Sequence, residues 1–155
     1  MSGVYGLTGT AALSASTTTY LWGVISGSAT SDGVITWFDV TMNAGTPATG
    51  CLVELFRCTG GGPTGTTYTA NKLSSDAQTG TGMLSCWVAP ITGNTNTGLV
   101  TIKQWYLSPT GGTLIQYPLS REDYIIAGTT NWFGARITTP SGVTPNIAFN
   151  VSWNE

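Results

Sequence analysis

From Leu99 to Glu155 the chain divides into short runs of β-branched and aromatic residues, each stopped by glycine or proline. Leu99–Leu107 ends at Pro109-Thr110-Gly111-Gly112, Thr113–Tyr117 at Pro118, Asp123–Ala127 at Gly128 and Trp132–Thr138 at Pro140. In the last run, Asn146–Trp153, the residues Ile147, Phe149, Val151 and Trp153 alternate with Ala148, Asn150 and Ser152. Period-two alternation is the pattern of a strand with one buried face. Short strands punctuated this regularly leave no room for a helix and predict an antiparallel sandwich or barrel.

The preceding residues extend the pattern. Tyr20–Ser26, Val34–Met42, Cys51–Cys58 and Met83–Val88 read as further strands, for a total of about nine. The expected fold is all-β: an antiparallel sandwich, jelly-roll-like, or a barrel of about eight to ten strands. In a regular strand over Val34–Met42, Val34, Thr36, Phe38 and Val40 share one face and Ile35, Trp37 and Asp39 the other. Both faces are then apolar, so this strand is expected to be covered on both sides or to meet another chain. Met1–Thr18 is small, uncharged and Gly/Ser/Thr/Ala-rich, and reads as an extended N-terminal arm or a poorly ordered leader before a single β domain over residues 19–155. Thr59–Gly82 reads as a long surface excursion and Pro90–Gly98 as loop. No period repeats, which argues against a propeller or solenoid.

Charged residues make up 8% of the chain, against a usual value of about 25%. Surface polarity must therefore come from Thr, Ser, Asn and Gly, and repulsion between copies is weak. Arg57, Lys72, Lys103, Arg121 and Arg136 are scattered along the chain, and the pI is 4.8. A nucleic-acid partner, which calls for clustered positive charge, is not expected. No run approaches the roughly 20 apolar residues of a membrane helix. The N-terminal residues have neither the basic stretch nor the apolar core of a signal peptide.

Histidine is absent, which excludes Ser–His–Asp and Cys–His nucleophile systems and the usual neutral-pH base. The three cysteines, Cys51, Cys58 and Cys86, match no zinc spacing and read as buried free thiols, with a single bridge as the alternative. The odd spacing of Cys51 and Cys58 puts them on opposite faces of a regular strand. No cofactor, metal or catalytic residue is expected. Among the acidic residues Asp32, Asp39, Glu54, Asp76, Glu122, Asp123 and Glu155, Asp39 and Glu54 lie mid-strand and are the pair a glycosidase would need facing each other. Glu54 and Arg57 each need solvent, a partner or an interface. Gly60-Gly61-Gly62 lacks the following Lys-Ser/Thr of a phosphate loop and reads as a turn. Six tryptophans, Trp22, Trp37, Trp87, Trp105, Trp132 and Trp153, are many for this length. At least half are expected in the core and Trp132 at an edge. Exposed ones would serve as sugar-stacking platforms or interface anchors.

Several short motifs carry a resemblance. They are LWGVISGSAT (Leu21–Thr30), LVELFRC (Leu52–Cys58) before a Gly/Thr-rich loop, SPTGG (Ser108–Gly112), YPLSRE (Tyr117–Glu122), GARITTP (Gly134–Pro140) and the closing SWNE (Ser152–Glu155). Together they resemble small structural proteins encoded near the capsid genes of tailed bacteriophages. The resemblance implies a non-enzymatic virion protein, a head decoration (cement) protein. It would be made in the host cytoplasm and bind the major capsid protein on the capsid exterior, often as a homotrimer. On that expectation Met1–Thr18 orders on the capsid or a neighbouring subunit, and Arg121 and Arg136 staple loops. The alternatives are a carbohydrate-binding β-sandwich on a tail or fibre, which needs a row of two or three exposed Trp or Tyr, and the glycosidase.

Overall fold

The computed structural model describes residues 3–26, 33–43, 49–64, 67–73, 84–88, 92–109, 112–116, 124–125 and 131–154. They form β1 (Val4–Ala12), β2 (Thr18–Ser26), β3 (Gly33–Asn43), β4 (Cys51–Cys58), β5 (Gly60–Thr64), β6 (Thr67–Tyr68) and β7 (Asn71–Lys72). There follow β8 (Leu84–Val88), β9 (Thr92–Thr97), β10 (Val100–Leu107), β11 (Gly112–Gln116), β12 (Tyr124–Ile125), β13 (Trp132–Thr138) and β14 (Asn146–Asn154). Sheet A has the order β11-β3-β14-β1-β7, with β12 also on β3; sheet B has the order β10-β4-β13-β2-β8-β6. Every pairing is antiparallel. Nine strands of five or more residues build the two sheets, and β5 and β9 form a separate ladder. The all-β sandwich expected from the sequence is the observed fold.

Along the chain, β1, β2, β3 and β4 alternate between sheets A and B, and β10, β11, β13 and β14 then alternate in the opposite phase. Within the sheets these strands lie in the orders β11-β3-β14-β1 and β10-β4-β13-β2. That is the double Greek-key connectivity of a jelly roll. The segment between β4 and β10 is an insertion. It places β7 beside β1 and β8 beside β2, so it covers the same flank of both sheets and protects edges that would otherwise be open to pairing. The expected surface excursion thus supplies edge strands, and the expected loop at Pro90–Gly98 contains β9.

The core lies between the sheets. Ile147, Phe149, Val151 and Trp153 all point into it, as their alternation predicts, and are at most 2% exposed. Rings cross the interface: Phe38 of β3 meets Trp22 of β2 at 5.6 Å and Trp105 of β10 at 6.0 Å. Each contact has the tilted, edge-on geometry that aromatic quadrupoles favour.

Two expectations are corrected. Residues 3–18 are not an arm: β1 pairs with β14 over its whole length, and Tyr5, Leu7 and Leu13 are buried in the core. Small residues in β1 are tolerated because only every second side chain must fill the core. Nor are the faces of β3 divided as in a regular strand. A bulge shifts the register between Ser152 and Trp153, so that Trp153 pairs with Ile35 and Ser152 with Trp37. The extra residue, Thr36, turns Ile35 inward alongside Phe38 and Val40. Trp37 and Asp39 then remain on the outer face.

Candidate functional site

Glu54 sits at the centre of β4 between Val53 and Leu55, both fully buried in the core. Alternation therefore turns Glu54 to the outer face of sheet B, where its partner across the ladder is Arg136 of β13. The guanidinium grips the carboxylate at two points, Nε to Oε2 at 2.7 Å and Nη2 to Oε1 at 3.1 Å. Thr101 of β10 donates a third hydrogen bond to Oε1 at 3.1 Å. The Arg136 plane lies 5.8 Å from the Phe56 ring centre, within cation–π range. Hydrogen bonding from Arg136 holds the Glu54 carboxyl below its usual range, outweighing the effect of burial. Arg136 is raised in turn, chiefly by Glu54 and further by Tyr20. A carboxylate so engaged is a poor proton donor, and three hydrogen bonds already fall on its two oxygens.

Next to this pair lies a second apolar cluster. Phe56, Cys58, Trp132 and Ile25 are buried on the outer side of sheet B, with Tyr20 and Leu99 packed against them. Trp132 meets Phe56 edge-on at 4.8 Å. The approach requires Gly134, because a Cβ there would stand 2.7 Å from the Trp22 carbonyl oxygen and 2.9 Å from both the Phe56 and Trp132 rings. Trp132, expected at an edge, is instead 1% exposed on a strand paired along both sides. Tryptophan at a strand start is decided by what packs over it, which local sequence does not record. Arg136 ties strands together mid-sheet rather than stapling a loop. Arg57 is half-buried, with its Nε enclosed and without a hydrogen-bond partner.

Asp39 does not join Glu54. Its neighbours Phe38 and Val40 face the core from sheet A, so Asp39 points outward from that sheet, as Glu54 does from the other. The whole core separates the two carboxylates, and the glycosidase pair is not assembled. Cys51 lies in the main core, 3.7 Å from the Met42 sulfur, and Cys58 in the outer cluster, on opposite faces of β4 as their spacing predicts. Burial raises both thiols, Cys58 to about 11, which leaves neither as a nucleophile near neutrality. Among the described residues no group of three or more Cys, Asp or Glu side chains is placed to hold a metal ion.

Nor do the described residues form a row of exposed aromatics. Tyr106, 75% exposed, and Tyr68, 49% exposed, lie on β10 and β6, at opposite edges of sheet B. Trp22, Trp132 and Trp153 are fully buried, Trp105 packs against the core, and Trp87 is placed by its backbone on β8. Asp32, Asp76, Arg121, Glu122, Asp123 and Glu155 lie outside the described residues.

Trp37 is different. It stands half-buried on the outer face of sheet A, in a row with Ser152 of β14, Gly6 of β1 and Asn71 of β7. The next row is Asp39, Asn150 and Thr8. Ser152 is engaged with Thr36 at 2.6 Å, and Gly6 has no side chain, so the first row is low in its middle. Leu73, 54% exposed, fills the far side by lying over Gly6, where an added Cβ would meet its Cδ1 at 2.8 Å. The result is a notch of about 70 Å³ between Trp37 and Leu73, rimmed by Thr8, Asn71 and Asn150. The Asn150 amide donates to Asp39 Oδ1 at 2.8 Å, which fixes its orientation. The sequence placed Trp37 and Asp39 on one face, but the partners on β1, β7 and β14 follow only from register.

Compared with protein-family models, curated proteins and solved structures, the chain matches none of them.

Proposed function

We propose that the protein is a non-enzymatic decoration (cement) protein of a tailed-phage head, binding the major capsid protein from outside and stabilising the shell. The observation that carries this reading is the jelly-roll strand order, an architecture common among viral capsid domains. The motif resemblance points the same way. Low charge suits the role, because a surface of hydroxyls and amides buries against protein with little charge to desolvate. A contact of about 1,600 Å² is enough for specific association, and repetition over a lattice multiplies it through avidity.

Tyr106 supplies the test. It is the most exposed large apolar side chain described, of the type that anchors protein interfaces. Co-sedimentation with bare tailed-phage heads is expected to retain the wild-type chain. Tyr106→Ala should weaken that retention at least tenfold while leaving the melting temperature unchanged. Heads that fail to retain the wild-type chain would remove the proposal. Light scattering on a sizing column is expected to give three times the 16.1 kDa chain mass; a single chain mass would remove the trimer.

A further inference from the structure

We infer that the open half of β1 is a strand-addition site, where an extended, uncharged segment of the major capsid protein joins sheet A as a further strand. The inference rests on the decoration reading and names the part of the molecule that makes the contact. β7 pairs with β1 at Tyr5 and Gly6 alone. The Leu73 N–H donates to the Val4 carbonyl at 2.8 Å, so Val4 turns its backbone polar groups to this side. β1 keeps an unbroken register with β14 from Val4 to Ala12, and the direction of those groups alternates along such a strand. Gly6, Thr8, Thr10 and Ala12 therefore face the same side as Val4. Gly6 is paired with Asn71. Thr8, Thr10 and Ala12 are exposed, and among the described residues nothing pairs with them there.

Chain direction carries the insertion away from this half. β7 runs antiparallel to β1, so Leu73 leaves toward Val4, and Leu84 of β8 pairs with Ser26. The turn from Ala12 to Thr18 is short, so Val4 and Ser26 share one end of the sandwich and Thr8–Ala12 points to the other. Before β7, Tyr68 belongs to sheet B and Ala70 packs on the core, so the chain crosses between the sheets instead of following β1. From Leu7 to Ala12 the strand has no lysine, no proline and no bulge, the devices that keep an edge from pairing.

The occupant follows from what the edge offers. N–H and C=O groups at every second residue are met in full by another extended backbone. Beside the edge, the outer face holds a shallow depression of about 360 Å³ lined by Thr10, Ala11, Ala12, Asn146, Ile147 and Ala148. A large apolar side chain on the added strand reaches over it. A second copy adding its own β1 would bring only Thr8, Thr10 and Ala12, which are too small to fill the depression. No charged residue stands in β1 or lines the depression, so a charged segment would lose water there without gaining a partner.

The test is hydrogen exchange of the full chain, free and on bare tailed-phage heads, read by mass spectrometry. Peptides covering residues 7–12 are expected to exchange at least tenfold more slowly on the heads. Thr10→Pro removes an N–H that points to the open side and should lower head retention at least tenfold. Thr10→Val keeps that N–H and should bind as wild type does. Thermal melting reports whether each variant is folded; if Thr10→Pro is not, Ala12→Lys, which sets a charge in the depression, decides. Heads that retain the chain without protecting residues 7–12, or that retain the folded blocking variant undiminished, would overturn this site and leave the decoration reading standing. Heads that fail to retain the wild-type chain would remove both. A lower solution mass for folded Thr10→Pro by light scattering would give the edge to a second copy and overturn the capsid occupant.

Discussion

Glu54 and Arg136 face each other on adjacent strands with side chains only 11% and 22% exposed, and each charge is tolerable there because of the other. Arg136→Ala would leave the carboxylate in an apolar setting, stripped of two of its three hydrogen bonds. Loss of one member of a buried pair is strongly destabilising; with some solvent contact retained, a cost of about 2–4 kcal/mol is expected by urea unfolding. The pH dependence has a definite sign. Glu54 is held below its ordinary value of 4.5 in the folded state, so the pair contributes fully above that value and is lost as pH falls through the lowered folded value. The stability gap between wild type and Glu54→Gln should therefore be constant near neutrality and narrow progressively below about pH 4.5. A gap that widens on acidification would contradict the assignment. The sequence marked Glu54 as needing a partner, but Arg136 lies 82 positions away, and nothing local distinguishes it from the other scattered cations.

Elements divide into those whose pattern speaks for itself and those that borrow their meaning from a neighbour. β14 alternates cleanly and folds as it reads. β1 has Gly, Thr and Ala at many positions and reads as an arm, yet its pairing with β14 makes it an interior strand of sheet A. Leu7→Ala is expected to cost about 2–5 kcal/mol, the range for emptying a buried leucine site, as measured by denaturant unfolding. A loss under about 0.5 kcal/mol, typical of exposed positions, would restore the arm. Deleting β1 should yield unfolded protein rather than a folded domain that has lost a docking tail. β3 shows a different limit. Its two apolar faces suggested a covered strand, but one bulged residue moves Ile35 to the core side and leaves Trp37 as the outward aromatic. A bulge is a property of two strands in register, so a single strand's pattern cannot reveal it.

For the molecule as a whole, the pairing of β1 with β14 means that sheet A closes only when both ends of the chain are present. Nearly all stabilising contacts are non-local, so loop-closure entropy opposes folding before any sheet is complete. Refolding followed by tryptophan fluorescence should be slow for this size, roughly milliseconds to seconds; a microsecond phase carrying the full amplitude would count against this topology. What the sequence determined by itself is the class of fold. Period-two patterning with Gly and Pro stops dictates strands, the lack of charge dictates a hydroxyl- and amide-rich surface, and the absence of histidine removes whole families of chemistry. These are local or compositional properties, legible one segment at a time. Tertiary structure alone decided the jelly-roll order, the role of the segment from Thr59 to Gly98 as edge strands, the Glu54–Arg136 pair, the separation of Asp39 from Glu54, and the notch at Trp37. Each of these depends on which strands become neighbours and in what register, and that is settled by burying one shared core rather than by any stretch of residues alone.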